Sequence, residues 1–597
     1  MNPVMNPVMN RVLQRVCRKF LWDLLNPGAG ESESRSLLRD VFLRSGLLIV
    51  CAWIGLNVAG PWANRLLAQT AEIPQEVIDR DRSVRKQSEA RSAAVASIRE
   101  GLAAGNPQVV IPKLGDASGL VRDAAYSRLV KFSDEELDQV VEAWGSHPLR
   151  KASPATRGLI DSGLAEALFH RPRPDAEAWL LSVASSRKSD QTSRELSLAA
   201  LSQLPSGSLK SKTLQSLSRL AEKEPLWWVR GEALLCLCVH DPVEARSAVE
   251  KAWSEKRSWP MRLISLQGQA LLDAEIAIER SMTLLSDEIR DRKGIWGERL
   301  ERTALTILAQ EVPKLPRADR VAAIDLLISR ALESANQTWH PEISVLRQLT
   351  GVDLSSGRAS AWDSWWKSRR DPWLAGEDTG GTGAGSDDGE VKDDAGKTKV
   401  VEYHGVPIDS RKITFVSDVS GGMSRNLDGD FDGPGPRRLE VARKELLRVL
   451  SELPPESLVQ VIYFASLRIP VLPAPQVLAR CYRALKKRID EQGVPQGRGE
   501  SRGNLYAPLR AALFEPGIDT VMLLTEGAAT EGRIHDGERL RWHVQRWNRW
   551  AQVRLHVLSV GRLSAGNRSF LEKLAQENAG GFHDIDDRFR KSVHRLR

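Results

Sequence analysis

The sequence predicts an all-α solenoid followed by an α/β domain built on a doubly wound, mostly parallel sheet. Three observations predict it. Between about Ala90 and Trp373, arginine-led apolar runs recur every 32 to 40 residues with almost no strand signal. From Ala375 to Lys397 the chain becomes AGEDTGGTGAGSDDGEVKDDAGK, low in apolar residues and rich in Gly and Asp. After Val401, short apolar runs alternate with amphipathic ones, as strands buried on both faces alternate with covering helices. The expected divisions are a basic cytoplasmic segment over 1–40, a signal anchor or signal peptide over 41–67, the solenoid over 73–374, a flexible acidic linker over 375–400 and the α/β domain over 401–597.

At 597 residues the chain is too long for a single core. With 42% hydrophobic and 27% charged residues it has a globular composition, which argues against collagen, wholesale disorder or a polytopic membrane protein. Its five cysteines are scattered and never form a C-x-x-C pair, so neither a disulfide framework nor a zinc site is expected. Cys236 and Cys238 fall in a helical run, where residues two apart diverge, and read as small buried apolar groups. The formal charge of +8 is spread through helices and not gathered into an aromatic-interleaved patch, so nucleic acid is not the expected partner.

Gly46 to Ala59 (GLLIVCAWIGLNVA) is an apolar run preceded by Arg11, Arg15, Arg18, Lys19, Arg35, Arg39 and Arg44. That polarity is the polarity of an export signal. The run suits a signal-peptide core, and Leu43 with the Trp62–Leu67 flank lengthens it toward a span. Val58-Ala59-Gly60 runs directly into Pro61, a poor cleavage site, so an uncleaved anchor is favoured over a signal peptide or a buried solenoid helix. Positive charge ahead of the segment places the N-terminus in the cytoplasm and the bulk of the chain outside, periplasmic or on the cell surface.

In the solenoid the recurring arginines are Arg122, Arg157, Arg194, Arg230, Arg262 and Arg302. Each leads apolar residues three and four apart, as in Ala233, Leu234 and Leu237, which give one buried stripe per helix. One unit cannot bury its own stripe; stacked neighbours can, leaving a concave face for partners. The arginines are expected to cap or bridge adjacent repeats. Trp362, Trp365, Trp366 and Trp373 are expected to cap the last repeat. Asp116 before Val121-Arg122, and Pro225 before Val229-Arg230, resemble the turn and V-R-x-x-A start of HEAT repeats.

Strands are expected at Lys412–Ser417, Val459–Phe464, Thr520–Thr525 and Arg554–Val560, with helices near Arg438–Leu450, Pro475–Asp490, Leu505–Phe514, Asp536–Trp550 and Asn567–Asn578. A ligand then belongs at the carboxyl ends of the strands. At one such end stands ITFVSDVSGGMS. With RLEVARKELLRVLSELP, NLYAPLRAAL, VMLLTEG and FLEKLAQENAGGFHDI it resembles the von Willebrand factor A family over about residues 405–590. The resemblance implies a Rossmann-like fold and a metal-ion-dependent adhesion site of D-x-S-x-S, a threonine and a second aspartate. Asp418 and Ser420 match the first two positions; Gly422 stands at the third, Gly503 at the threonine and Glu526 at the second aspartate. Magnesium wants about six oxygen ligands, and two hydroxyls are missing, so a degenerate site is expected, with Ser424, Ser501 or a water as candidate substitutes.

Downstream, Asp428, Asp430 and Asp432 alternate as in the start of a D-x-D-x-D-G calcium loop, although Leu439 stands where the twelfth-position glutamate belongs. A calcium ion or a plain solvated loop tip both fit. No G-x-S-x-G, Walker or H-E-x-x-H motif occurs, and the expectation is no enzymatic activity. The reading is an extracytoplasmic protein-binding scaffold of the adhesion type. It is tethered through its N-terminal anchor and binds protein partners through the A-type loops and the solenoid surface. Its rivals are a cytoplasmic accessory subunit of an AAA-type ATPase, and a polyanion-binding or nucleic-acid-processing solenoid, which needs a continuous basic concave face.

Overall fold

The computed structural model describes residues 75–255, 258–286, 297–333, 340–352, 354, 359–377, 401–426, 428–431, 433–496, 501–561 and 563–585. The chain forms two compact units, Met1–Ser83 and Val84–Arg597. Of the first, only the start of one helix falls within the described residues. The anchor expected over 41–67 and most of the expected linker lie outside them. Among the described residues no helix is long and apolar enough to cross a membrane.

Helices α1 (Gln75–Ala103), α2 (Val110–Leu114), α3 (Gly119–Leu129) and α4 (Asp134–Ser146) lead into six pairs. These are α5 (Pro154–His170) with α6 (Glu177–Ser185), α7 (Gln191–Ser202) with α8 (Ser211–Lys223), and α9 (Trp227–His240) with α10 (Pro242–Ser254). Then come α11 (Trp259–Leu272) with α12 (Ala274–Leu285), α13 (Gly297–Glu311) with α14 (Arg317–Glu333), and α15 (Pro341–Thr350) with α16 (Ala359–Leu374). First members stack on first members to form one layer, and second members lie in the other.

Local chemistry sets the starts. Ser133 and Glu136 make a reciprocal capping box on α4. The side chains of Asp190, Asp241 and Asp273 accept backbone N–H groups at the starts of α7, α10 and α12. Proline occupies the first turn of α5, α10, α11 and α15, where its missing N–H costs nothing. Cys236 and Cys238 are buried in α9 as free thiols.

Two of the repeat arginines bridge neighbouring units as expected. Arg194 pairs with Glu224 at 2.6 Å in a buried site, and Arg230 pairs with Glu255. Arg157 donates to the Lys188 carbonyl, and Arg262 lies over the rings of Trp253 and Trp259. Arg122 also caps its own turn, Nη1 donating to the carbonyls of Asp116 at 2.6 Å and Ala117 at 2.8 Å, but Arg122 and Arg302 reach beyond the repeats as well. Arg122 Nη2 donates to the carbonyl of Gly532 at 2.5 Å and Arg302 Nη1 to that of Gln552 at 2.5 Å, both in the α/β domain. Trp362, Trp366 and Trp373 close the stack as a buried cap, Trp366 donating to Asp325 and Trp373 to the Thr350 carbonyl.

The α/β domain begins with the small hairpin β1 (Glu402–Tyr403) and β2 (Val406–Pro407). It continues through β3 (Lys412–Asp418), α17 (Arg438–Glu452), β4 (Leu458–Phe464), β5 (Arg468–Pro470), β6 (Gln476–Val477) and α18 (Leu478–Glu491). It ends with α19 (Tyr506–Phe514), β7 (Thr520–Thr525), α20 (Gly537–Ala551), β8 (Arg554–Ser559), α21 (Ala565–Gln576) and β9 (Phe582–Asp584). The sheet runs β5-β4-β3-β7-β8-β9. β3, β4, β7, β8 and β9 are parallel, and β5 and β6 pair antiparallel with β4. Val416 sits opposite Ile462 on one side and Leu523 on the other. α17 and α18 cover one face, while α19, α20 and α21 cover the second.

That second face docks on the first-member layer of the helical stack through α20. Arg539 forks onto the Glu166 carboxylate, at 2.7 Å from each guanidinium nitrogen, and reaches Asp123 at 2.5 Å. His543 Nε2 lies 3.2 Å from the same Glu166 carboxylate. Arg546 and Arg549 both meet Glu232, and Arg533 meets Asp190 at 2.7 Å. Around these charges Trp542 packs on Phe169, Trp227 lies near Phe514, and Trp550 is fully buried in the helical core.

The solenoid face expected to be free for partners is therefore taken by the chain's own domain, because four arginines of one region match four acidic residues of the other. The basic concave face that the polyanion-binding reading requires is, at these positions, acidic and covered. Burial alone would raise the Glu166 carboxyl, but Arg539 and His543 hold it far below the ordinary carboxylate range. A depressed folded pKa gives stability that is complete above the ordinary carboxyl range and is lost as pH falls below it. Glu166→Ala strands the Arg539 charge, so it should lower stability by about 3–5 kcal/mol in chemical denaturation of the full chain near neutral pH. Lys251→Ala, which breaks an exposed pair with Glu222, should leave the midpoint unchanged.

Candidate ligand crevice at the switch of the sheet

In a doubly wound sheet the connections leave in opposite directions from two neighbouring strands, and their carboxyl ends part to leave a crevice. Here those strands are β3 and β7. The residues expected at the site stand there: Asp418 ends β3, Ser420 follows it, and Glu526 follows Thr525 at the end of β7.

Asp418 is buried and held by three donors. One carboxylate oxygen accepts the Ser420 N–H at 2.7 Å. The other accepts the Thr525 hydroxyl at 3.2 Å and the Glu526 N–H at 3.4 Å. The Ser420 hydroxyl points at Glu526, 3.4 Å from Oε1. Asp418, Ser420 and Glu526 are thus brought together, as their alignment requires. Burial, and next the nearby Glu526 carboxylate, raise the Asp418 carboxyl well above its ordinary range.

The two glycines differ in what they do. A Cβ on Gly422 would stand 1.7 to 2.0 Å from the Glu526 carboxyl group, so Glu526 fills the space that a third serine would use. Gly503 binds the opposite loop through its backbone: its N–H donates to the Thr530 hydroxyl at 2.9 Å, and its carbonyl accepts the Thr530 N–H at 2.8 Å. Of the candidate substitutes, Ser501 touches the crevice through its carbonyl, which accepts the Gly421 N–H at 2.7 Å. Ser424 closes the short 3-10 turn Gly421–Ser424.

A residue that the alignment did not single out completes the crevice. Arg438, the first residue of α17, extends its guanidinium to 3.3 Å from Glu526 Oε2 and is nine-tenths buried. A signal for it existed. RRLEVARKELL opens a helix with two arginines, at the end where the helix dipole disfavours cations.

The loop carrying Asp428 and Asp430 is organised by Asn426. Its side-chain oxygen accepts the N–H groups of Asp428 and Asp430, its amide donates to the Pro434 carbonyl, and its backbone N–H donates to the Asp430 carbonyl. These bonds shape the turn through protein groups alone. Asp432 lies outside the described residues.

Fold and crevice together define a class: a helical-repeat protein clasping a doubly wound α/β domain with a carboxylate and hydroxyl crevice at its switch point. No family model and no curated protein matches the chain. Among solved structures it is similar to a D319A mutant of the PilB minor pilin from Streptococcus sanguinis, at 14% identity over 32% of this chain and 62% of that one, with a TM-score of 0.25. It is also similar to an aerotolerance-related membrane protein from Bacteroides fragilis, at 16% identity over 31% of this chain and 97% of that one, TM-score 0.22. A von Willebrand factor type A protein from Catenulispora acidiphila matches at 14% identity over 32% of this chain and 43% of that one, TM-score 0.24. The chain spans about three-fifths of the length of the pilin it matches.

Two outcomes follow from this geometry. Gly422→Ala should cost about 1–3 kcal/mol by forcing Glu526 aside, and in a Glu526→Ala background the same change should cost less than about 0.5 kcal/mol, read by a double-mutant cycle in urea. The raised Asp418 carboxyl means that the folded state holds a proton that the unfolded state has released, so its contribution falls as pH rises above the ordinary carboxyl range. The stability of Asp418→Asn relative to the parent should therefore climb with pH across that window, measured as the difference between their melting temperatures.

Proposed function

We propose that the protein is a non-catalytic, membrane-anchored extracytoplasmic scaffold, a HEAT-like solenoid carrying a von Willebrand factor A-type domain that captures a protein partner at the loops around Asp418. The observation that carries this reading is the contrast between two surfaces. The solenoid layer that could have received a partner is filled by α20, whereas the rim of the crevice stays accessible, with Ser424, Ser501 and Gly503 half-buried and Thr530 exposed. The crevice also lies where ligands bind in open α/β sheets.

The motifs support the A-type assignment: Asp418, Ser420 and Glu526 converge from the two strands at the switch point, as the family's pattern requires. The anchor and the outward orientation rest on the basic flank and apolar run of residues 1–67. The absence of nucleophile motifs from the sequence supports a binding role.

Spheroplasts of cells making the full chain, treated with a membrane-impermeant thiol cross-linker, test the reading. Ser424→Cys and Thr530→Cys should each give one adduct of common mass. Lys212→Cys, exposed on α8, should take up reagent and give no adduct. Identical adducts from all three positions would remove the crevice as the binding face, and no labelling of any position would remove the extracytoplasmic location.

A further inference from the structure

We infer that the Arg438 guanidinium stands in for the divalent cation at the Asp418–Glu526 crevice, so that the site carries its positive charge as a side chain and is closed to magnesium. This goes beyond the proposed capture of a partner, and its test requires no partner.

Two carboxyl groups and a hydroxyl meet here, with Asp418 buried and Glu526 partly exposed. Asp418 is 2% exposed, and the Ser420 hydroxyl lies 3.4 Å from Glu526. Two acidic groups this close repel when both are charged, and a neighbouring cation offsets that repulsion. Arg438 supplies it, with Nη1 3.3 Å from Glu526 Oε2 and a side chain only 9% exposed. Its Nε has no hydrogen-bond partner among the described residues, so the fork is not held by a carbonyl lattice on every side.

Three features of the chain accommodate this guanidinium. Gly561, at φ 86° just past β8, leaves room where a Cβ would stand 2.8 Å from Nη1. Gly422 leaves room for the Glu526 carboxylate that receives it. Glu526 is one methylene longer than the family's aspartate, and it reaches across the crevice to do so. The arginine also opens α17, where the helix dipole opposes a positive charge, so helix stability does not account for its position.

With the guanidinium in place, a magnesium ion does not fit the same residues. It needs near-octahedral oxygen donors, and the positions that would supply two of them, Gly422 and Gly503, have no side-chain oxygen. The Thr530 hydroxyl, beside Gly503, accepts the Gly503 N–H. The guanidinium meets the carboxylate that is present through Nη1.

The test titrates the full chain with manganese, followed by electron paramagnetic resonance of free manganese and by melting temperature with and without magnesium. The parent should bind no manganese at the crevice, and its melting temperature should not respond to magnesium or chelator. Arg438→Met empties the cation's place and brings no oxygen of its own. It should gain manganese binding that the parent lacks, held by Asp418, Ser420 and Glu526 with water at the remaining positions, together with a metal-dependent rise in melting temperature. Arg438→Lys should stay as metal-silent as the parent. Manganese bound by the parent and lost in Asp418→Ala would overturn the inference without recourse to any arginine variant. So would an Arg438→Met protein that folds and gains no metal.

Discussion

The molecule hangs on the pairing of Glu166 with Arg539. Both groups are buried, and a carboxylate or guanidinium out of water is tolerated only with a partner in good geometry. The fork of Arg539 on Glu166, with Asp123 and His543 completing the cluster, admits few relative placements of α20 and α5. Once α20 is seated, Arg546 and Arg549 fall on Glu232, and Trp550 enters the helical core. The charges supply register and the aromatic rings add buried apolar contact. What would otherwise be two domains joined by a linker is one compact unit from Val84 to Arg597.

This docking decides which surfaces remain for function. The face of the sheet covered by α19, α20 and α21 is turned to the helical stack, and the loop from Glu526 to Asp536, which starts at the crevice, ends against Asp123. The helical stack therefore holds one wall of the crevice. A repeat architecture usually offers its inner layer to other molecules; here that layer is a cradle for the chain's own domain.

Inside the crevice the same electrostatic rule operates at smaller scale. Asp418 is satisfied by backbone and hydroxyl donors, while Glu526 turns to Arg438. The absence of a side chain at Gly422 and Gly561 leaves space for the ion pair. A pattern that looks like decay when the residues are counted against a metal site is, in three dimensions, a set of mutually fitted changes.

Much of this was legible in the sequence. The strands at Lys412, Leu458, Thr520 and Arg554 and the five helices between them follow from apolar runs of 6 or 7 residues and from helical spacing, signals that act over a few neighbouring positions. So do the repeat pairs, the Arg194 and Arg230 bridges and the tryptophan cap. The short edge strands β5, β6 and β9, only two or three residues long, left no periodic trace. The meeting of Glu166 with Arg539, and of Arg438 with Glu526, joins residues hundreds and tens of positions apart. Charge on an exposed helix face and charge destined for a buried pair look alike in one dimension, since burial is a property of what packs against them. The sequence by itself determined the long helices, the four central strands and where the crevice lies, because hydrophobic period and chain order act locally. Tertiary structure alone decided which charges leave water, and therefore which surface is closed and which cation the crevice holds.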